Sequence, residues 1–217
     1  MKAPPFAEDR AIQITRRWLP ALRPITLGAL VGCSALFHRG ATVRFHGEAN
    51  DPVGDTARVA DARVRRAADL VYAGVRVTDD DVRFTVRFAR GSFDSTNTGV
   101  IFDLDTDRDS TTGVGGLGVG AEYGVSLNAG SHDATVDRAA TDANCPGTRP
   151  CRYEPIQRAA LIISADGMDA VVPRRAFAHF DGRLDFRVVA YAMLDHGRHT
   201  ITSDHLPNLP AQFVVVR

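Results

Sequence analysis

The chain has 217 residues, 44% of them hydrophobic, and 26 basic against 26 acidic side chains, a formal net charge of zero. That length and composition suit one principal domain with a real core, and no basic block is long enough to form a nucleic-acid groove. Lys2 is the only lysine, so the many arginines look compositional and basic pairs carry little functional weight.

Residues 1–32 read as a signal segment. Arg16, Arg17 and Arg23 form a basic region, and "PITLGALVGC" adds a short apolar run ending at Cys33. A membrane-spanning helix needs about 20 apolar residues, more than this run supplies. "LVGC" resembles a bacterial lipobox, which implies lipidation of Cys33, export, and a membrane anchor made only of lipid. An ordinary cleaved signal peptide is the alternative. Residues 33–49 read as a tether or a first edge strand, and residues 57–68 carry charge without a clean period.

Period-two patterning begins at Asp69. Val71, Ala73, Val75 and Val77 are expected on one strand face. After a turn at Thr78–Asp81, Val82, Phe84, Val86 and Phe88 share a face opposite Arg83, Thr85 and Arg87, as in a half-buried antiparallel hairpin. Further strands are expected at "GVIFDLD", "EYGVSLN", "HDATVDR", "AALIIS" and "MDAVVP", the last two joined by a tight hairpin at Ala165–Gly167. "RLDFRVVAYAML" places Leu184, Phe186, Val188 and Ala190 inward, "AQFVVV" closes the chain, and only "PRRAFAHF" has room for a helical turn. Eight to ten short strands with Gly, Asp and Pro turns, and no βαβ alternation, predict an all-β antiparallel sandwich of jelly-roll or Ig-like type over residues 50–217.

The densest chemistry lies in "VIFDLDTDRDSTTGVGG", residues 100–116. Asp103, Asp105, Asp107 and Asp109 place four acids within seven residues, and such charges repel unless a cation joins them. Calcium accepts six to eight oxygen ligands, which closely spaced aspartates and turn carbonyls supply. An EF-hand is excluded. Counting from Asp103 puts Arg108 at the glycine position and Val114 at the glutamate position, and counting from Asp105 puts Gly116 at the twelfth. The expected ligands are Asp105, Asp107 and Asp109 with Glu122 from the next strand, and Asp103 ranks behind them. A solvated turn with capping aspartates and a catalytic carboxylate cluster are the competing readings. "GVGGLG" matches a nucleotide-binding glycine pattern in form only, because no helix is expected after it.

Cys145 and Cys151, in "NCPGTRPC", are the two cysteines left if Cys33 carries lipid. The turn residues between them make a short disulfide loop plausible in an exported protein. "DHGRH" (Asp195 to His199) with His205 offers weak transition-metal ligands. No nucleophile elbow or zinc-protease motif occurs.

"DPVGDT", "ADLVYAGVRV", "DTDRDSTTG", "GAEYGVSL" and the closing "LPNLPAQFVVVR" together resemble a group of secreted bacterial β-sandwich domains similar to carbohydrate-binding-module-9 and DOMON-like folds. Asp105, Asp107, Asp109 and Gly113 match its acidic motif, and Glu122 with Tyr123 its tyrosine strand, where the group more often has Asp-Tyr. The resemblance implies a calcium-bound sandwich and, by extension, a polysaccharide or cell-surface partner. Sugar platforms usually rest on exposed aromatic faces. The only tryptophan is Trp18, in the signal, and Tyr72 and Tyr191 are the expected surface tyrosines, with Tyr123 in the core. The leading expectation is a non-enzymatic exported lipoprotein, either membrane-anchored or secreted. A glycan hydrolase centred on the acidic loop and a surface scaffold or adhesion module are the alternatives.

Overall fold

The computed structural model describes residues 42–56, 64, 67–116, 119–139, 153–194, 199–208 and 213–217. Cys33, Cys145, Cys151 and Asp195 lie outside the described residues, as does the signal segment. The described chain is all-β. Its strands are β1 (Phe45–Asn50), β2 (Leu70–Val77), β3 (Asp81–Phe88), β4 (Thr98–Asp105), β5 (Val114–Gly116), β6 (Val119–Ala121), β7 (Tyr123–Asn128), β8 (Asp133–Ala139), β9 (Tyr153–Ile163), β10 (Gly167–Pro173), β11 (Leu184–Leu194), β12 (His199–Leu206) and β13 (Val214–Val216). One turn of 3-10 helix at Arg174–Ala176 occupies the segment expected to have room for it.

Eleven strands form one antiparallel sheet in the order β1-β2-β3-β10-β9-β8-β7-β4-β11-β12, with β13 also paired to β11. The alternation of the sequence folds this sheet over its own apolar face. Phe84 on β3 and Phe102 on β4 are far apart in strand order, yet their rings meet edge to face at 5.1 Å. Phe102 then meets Phe186 of β11 at 5.8 Å. The two halves of the sheet are thus the two layers of a sandwich, with Val82, Phe84, Val86, Phe88, Leu184, Phe186, Val188 and Ala190 buried between them. Tyr123 is also buried, and its hydroxyl accepts the Ala178 N–H at 2.9 Å.

The sheet nearly closes. β11 offers one edge to two strands in succession, with the short β13 opposite Leu184–Phe186 and β12 opposite Val188–Leu194. β13 reaches across to β1, where the His46 N–H donates to the Arg217 carbonyl at 3.0 Å and the Arg217 N–H donates back at 3.2 Å. A Cβ at Gly47 would lie 2.6 Å from the Val215 carbonyl oxygen, so this approach needs glycine. Beyond β13 the seam between β12 and the β1–β2 hairpin is spanned by side chains.

Two expectations change. Residues 45–49 belong to β1 and pair with β2, so the sheet begins within the segment read as a tether or edge strand. Val71 does not share the face of Ala73, Val75 and Val77: the β2–β3 register slips between Leu70 and Tyr72. A bulge adds a residue to one strand and re-aims its side chains, and Leu70 takes the fully buried position.

Candidate metal centre

β4 turns Val100, Phe102 and Leu104 into the core and Asp103 and Asp105 to the opposite face, where neighbouring segments cover them, because successive side chains point to opposite faces. The chain then leaves the sheet through an acidic turn and returns by the short β5–β6 hairpin. The return brings Glu122 beside the end of β4, where its N–H donates to the Leu104 carbonyl at 3.0 Å. One carboxylate oxygen each from Asp105, Asp107 and Glu122 lie within 4.8 Å of one another. The turn needs two glycines. Gly113 has φ of 65°, and a Cβ there would lie 2.5 Å from the Ala121 carbonyl oxygen. A Cβ at Gly120 would strike the Thr112 carbonyl and lie 2.7 Å from that of Asp109.

A shell of donors holds the three carboxylates. The Thr112 hydroxyl lies 3.0 Å from Asp107 Oδ2 and 2.9 Å from Glu122 Oε1. The Thr106 N–H donates to Glu122 Oε2 at 2.7 Å, and its hydroxyl lies 3.1 Å from the same oxygen. The Asp109 N–H donates to Asp107 Oδ1 at 2.9 Å and is 3.2 Å from Asp105 Oδ1. Asp105, only 3% exposed, has its pKa pushed up to about 6, first by burial and then by the charge of Glu122. The like charges are aligned by neutral donors, which leave their mutual repulsion in place.

The other two expected ligands are used differently. Asp109 contributes its N–H to the cluster, whereas its carboxylate Oδ1 accepts the Thr111 N–H at 3.0 Å and hydroxyl at 2.6 Å. Those bonds hold its pKa below the usual carboxylate value. The same arrangement occurs at Asp94, whose Oδ1 takes the Thr96 N–H at 2.9 Å and hydroxyl at 2.6 Å. Both are Asp-Ser-Thr sequences, so for Asp109 the capping-turn reading describes the carboxylate. Asp103 is buried against β11 and accepts from Arg187 Nε at 2.8 Å. Burial outweighs that partner and raises its pKa.

The expected surface tyrosines are both half-buried. The Tyr72 hydroxyl donates to Glu48 at 3.0 Å, and the Tyr191 ring occupies the space a side chain at Gly99 would need. His205 sits on β12 opposite Val189, and burial followed by the Arg187 charge lowers its pKa.

A second set of acids went unread in the sequence. Oxygens of Asp51, Asp55 and Asp204 also lie within 4.8 Å of one another. Asp204 is two residues from Leu206, and both are buried on β12. An acid on the core face of a strand is the signal that would have marked it, but "HTITSDHL" shows too little alternation to read as a strand.

The chain matches no protein-family model and no curated protein.

Proposed function

We propose that this is a non-enzymatic, exported β-sandwich whose fold is stabilised by calcium held by Asp105, Asp107 and Glu122. The observation that carries the reading is the convergence of these three carboxylates, Asp105 met by an N–H and Asp107 and Glu122 by N–H and hydroxyl groups. All-oxygen ligation selects a hard cation, and several protein-supplied oxygens favour calcium over magnesium, which keeps much of its water. A glycan hydrolase places its two carboxyls on either side of a bond, with room for substrate between them. Here the three ligand atoms share one small volume, the geometry of a common cation. Lipidation of Cys33, carbohydrate as a surface ligand and a Cys145–Cys151 disulfide extend this reading by the resemblance and the sequence motifs alone.

Thermal melting of the full chain in calcium and in chelator tests it. A ligand specific to the folded state adds about 2.7 kcal/mol at a hundredfold excess over its dissociation constant. Calcium should therefore raise the melting temperature, by roughly 2–4 °C per kcal/mol for a chain of this size. Asp107→Ala should remove this site's share of the rise, and magnesium should reproduce little of it. Equal rises in the parent chain and Asp107→Ala would return the three acids to the status of a solvated turn.

A further inference from the structure

The seam of the sheet carries the second acid cluster. β1 runs out at Asn50, the Asp51 N–H still donates to the Val71 carbonyl of β2 at 3.1 Å, and residues 51–56 bring Asp51 and Asp55 to Asp204 of β12. Asp51 and Asp55 come from this loop, Asp69 from the residue before β2, and Asp204 from β12. Hydrogen bonds bring these segments together. The Gly54 N–H donates to Asp69 Oδ2 at 2.9 Å, and the Leu70 N–H donates to Asp204 Oδ2 at 2.7 Å. Asp69 therefore lies between the loop that carries Asp51 and Asp55 and the strand that carries Asp204. A register slip in β12 opposite Ala190 and Tyr191, with Ser203 as the extra residue, accompanies the inward turn of Asp204.

Burial makes this arrangement costly as it stands. Asp204 is 2% exposed and Asp69 6% exposed. Asp69 Oδ1 and Asp51 Oδ2 are both shut off from solvent and have no hydrogen-bond partner. A buried carboxylate oxygen without a partner is costly unless a positive charge meets it or a proton neutralises it. Among the described residues no basic side chain forms an ion pair with any of the four acids. The Asn208 amide is the side-chain donor here, reaching Asp51 Oδ1 at 2.6 Å and Asp55 Oδ2 at 2.5 Å. One neutral amide cannot neutralise four carboxylates.

We infer that the seam holds a second divalent cation of the calcium class, ligated by Asp51, Asp55 and Asp204 with the buried Asp69 beside them, which closes the sheet where, among the described residues, no strand ladder does. Oxygen-only ligation excludes the softer metals that nitrogen and sulfur select. Carboxylates from two segments distant in sequence suit calcium's high coordination number and tolerant geometry. The ion meets the cluster that includes Asp51, sets positive charge near the buried Asp69, and ties the exit of β1 to β12, completing the closure that β13 makes at the other end of the seam. The site stands independently of Asp105, Asp107 and Glu122.

Calcium titration of the chelator-stripped full chain, by calorimetry with stoichiometry from equilibrium dialysis, separates the two sites. The parent chain should bind two ions, Asp107→Ala one, Asp51→Asn one, and the combined variant none. Asp55→Asn, at an exposed position, should leave the fold intact and weaken one of the two sites at least roughly tenfold, since affinity follows the count of charged ligands. It decides the matter if Asp51→Asn does not fold. A parent chain that binds a single ion, lost in Asp107→Ala and unaffected by Asp55→Asn, would overturn the seam site. A single ion kept by Asp107→Ala and weakened by Asp55→Asn would support the seam site and remove the loop site instead.

Discussion

The loop cluster and the seam cluster are built from the same side chains and solve opposite problems. In the loop, Asp105 and Asp107 are neighbours in sequence and Glu122 follows one short hairpin later, so the turn assembles the site and Thr106, Thr112 and the Asp109 N–H orient it. In the seam, Asp51 and Asp204 come from opposite ends of the domain, and the fold of the whole sheet assembles the site. Its acids also do structural work, since Asp204 Oδ2 accepts the Leu70 N–H and Oδ1 accepts the His205 N–H. A locally built site can lose its ion and remain a turn. A site built by long-range contacts is part of the closure that brings its ligands together.

That difference should be largest in chelator, where neither cluster has help from a cation. Asp204→Ala leaves the buried Leu70 N–H without an acceptor and deprives His205 of another, and each such loss costs about 1–3 kcal/mol. Relief of repulsion from Asp51 offsets part of this. Asp107→Ala removes an exposed carboxylate whose donors can turn to water, and should cost close to nothing. Denaturant unfolding in chelator should therefore show Asp204→Ala destabilised by roughly 1–3 kcal/mol relative to Asp107→Ala. Equal stabilities would mean that the seam is no more integral to the fold than the loop.

A smaller effect probes the donors of the loop. The Thr112 hydroxyl stands between Asp107 and Glu122 and also lies 2.9 Å from the Asp109 carbonyl oxygen. Thr112→Val keeps the β-branched shape and removes the hydroxyl. It should cost about 1 kcal/mol, typical of one net hydrogen bond, and should weaken calcium binding at this site while leaving the seam site unchanged. Loss of affinity at both sites would show that the two clusters are coupled.

How far the sequence foretold this contrast follows from the range of the contacts. The core was legible wherever alternation was clean: the inward series of β3 (Val82 to Phe88) and of β11 (Leu184 to Ala190) is buried as the period requires. It failed at Val71, where a bulge breaks the period, and along β12, where polar residues and the extra Ser203 leave no alternation to read. Asp105, Asp107 and Glu122 were legible because spacing along one chain segment encodes their meeting. Asp204 was not, because nothing local ties it to Asp51, about 150 residues earlier. Asp109 marks the limit of spacing itself. Every second residue in an acidic run does not share a site once the backbone leaves the strand, and Arg108 does so with φ of 60°.

The smallest effect uses the repeated Asp-Ser-Thr turn as a control free of any cation. Asp94 caps its turn as Asp109 does, and its carboxylate belongs to neither cluster. Burial pushes the Asp94 pKa up, yet the Thr96 hydroxyl and N–H and the Asn97 amide outweigh it and leave the group below its ordinary value. A carboxyl lowered in the folded state contributes stability that is present above its unfolded pKa and is lost as pH falls through the folded value. Asp94→Ala should therefore cost about 0.5–1 kcal/mol at neutral pH, and the gap from the parent chain should close below the usual carboxylate range. Calcium should not change that gap. Asp109→Ala should lose the same cap and, because its N–H rather than its carboxylate serves the cluster, should keep most of the calcium response. Abolition of that response in Asp109→Ala would restore the Asp109 carboxylate to the ligand set and break the likeness between the two turns.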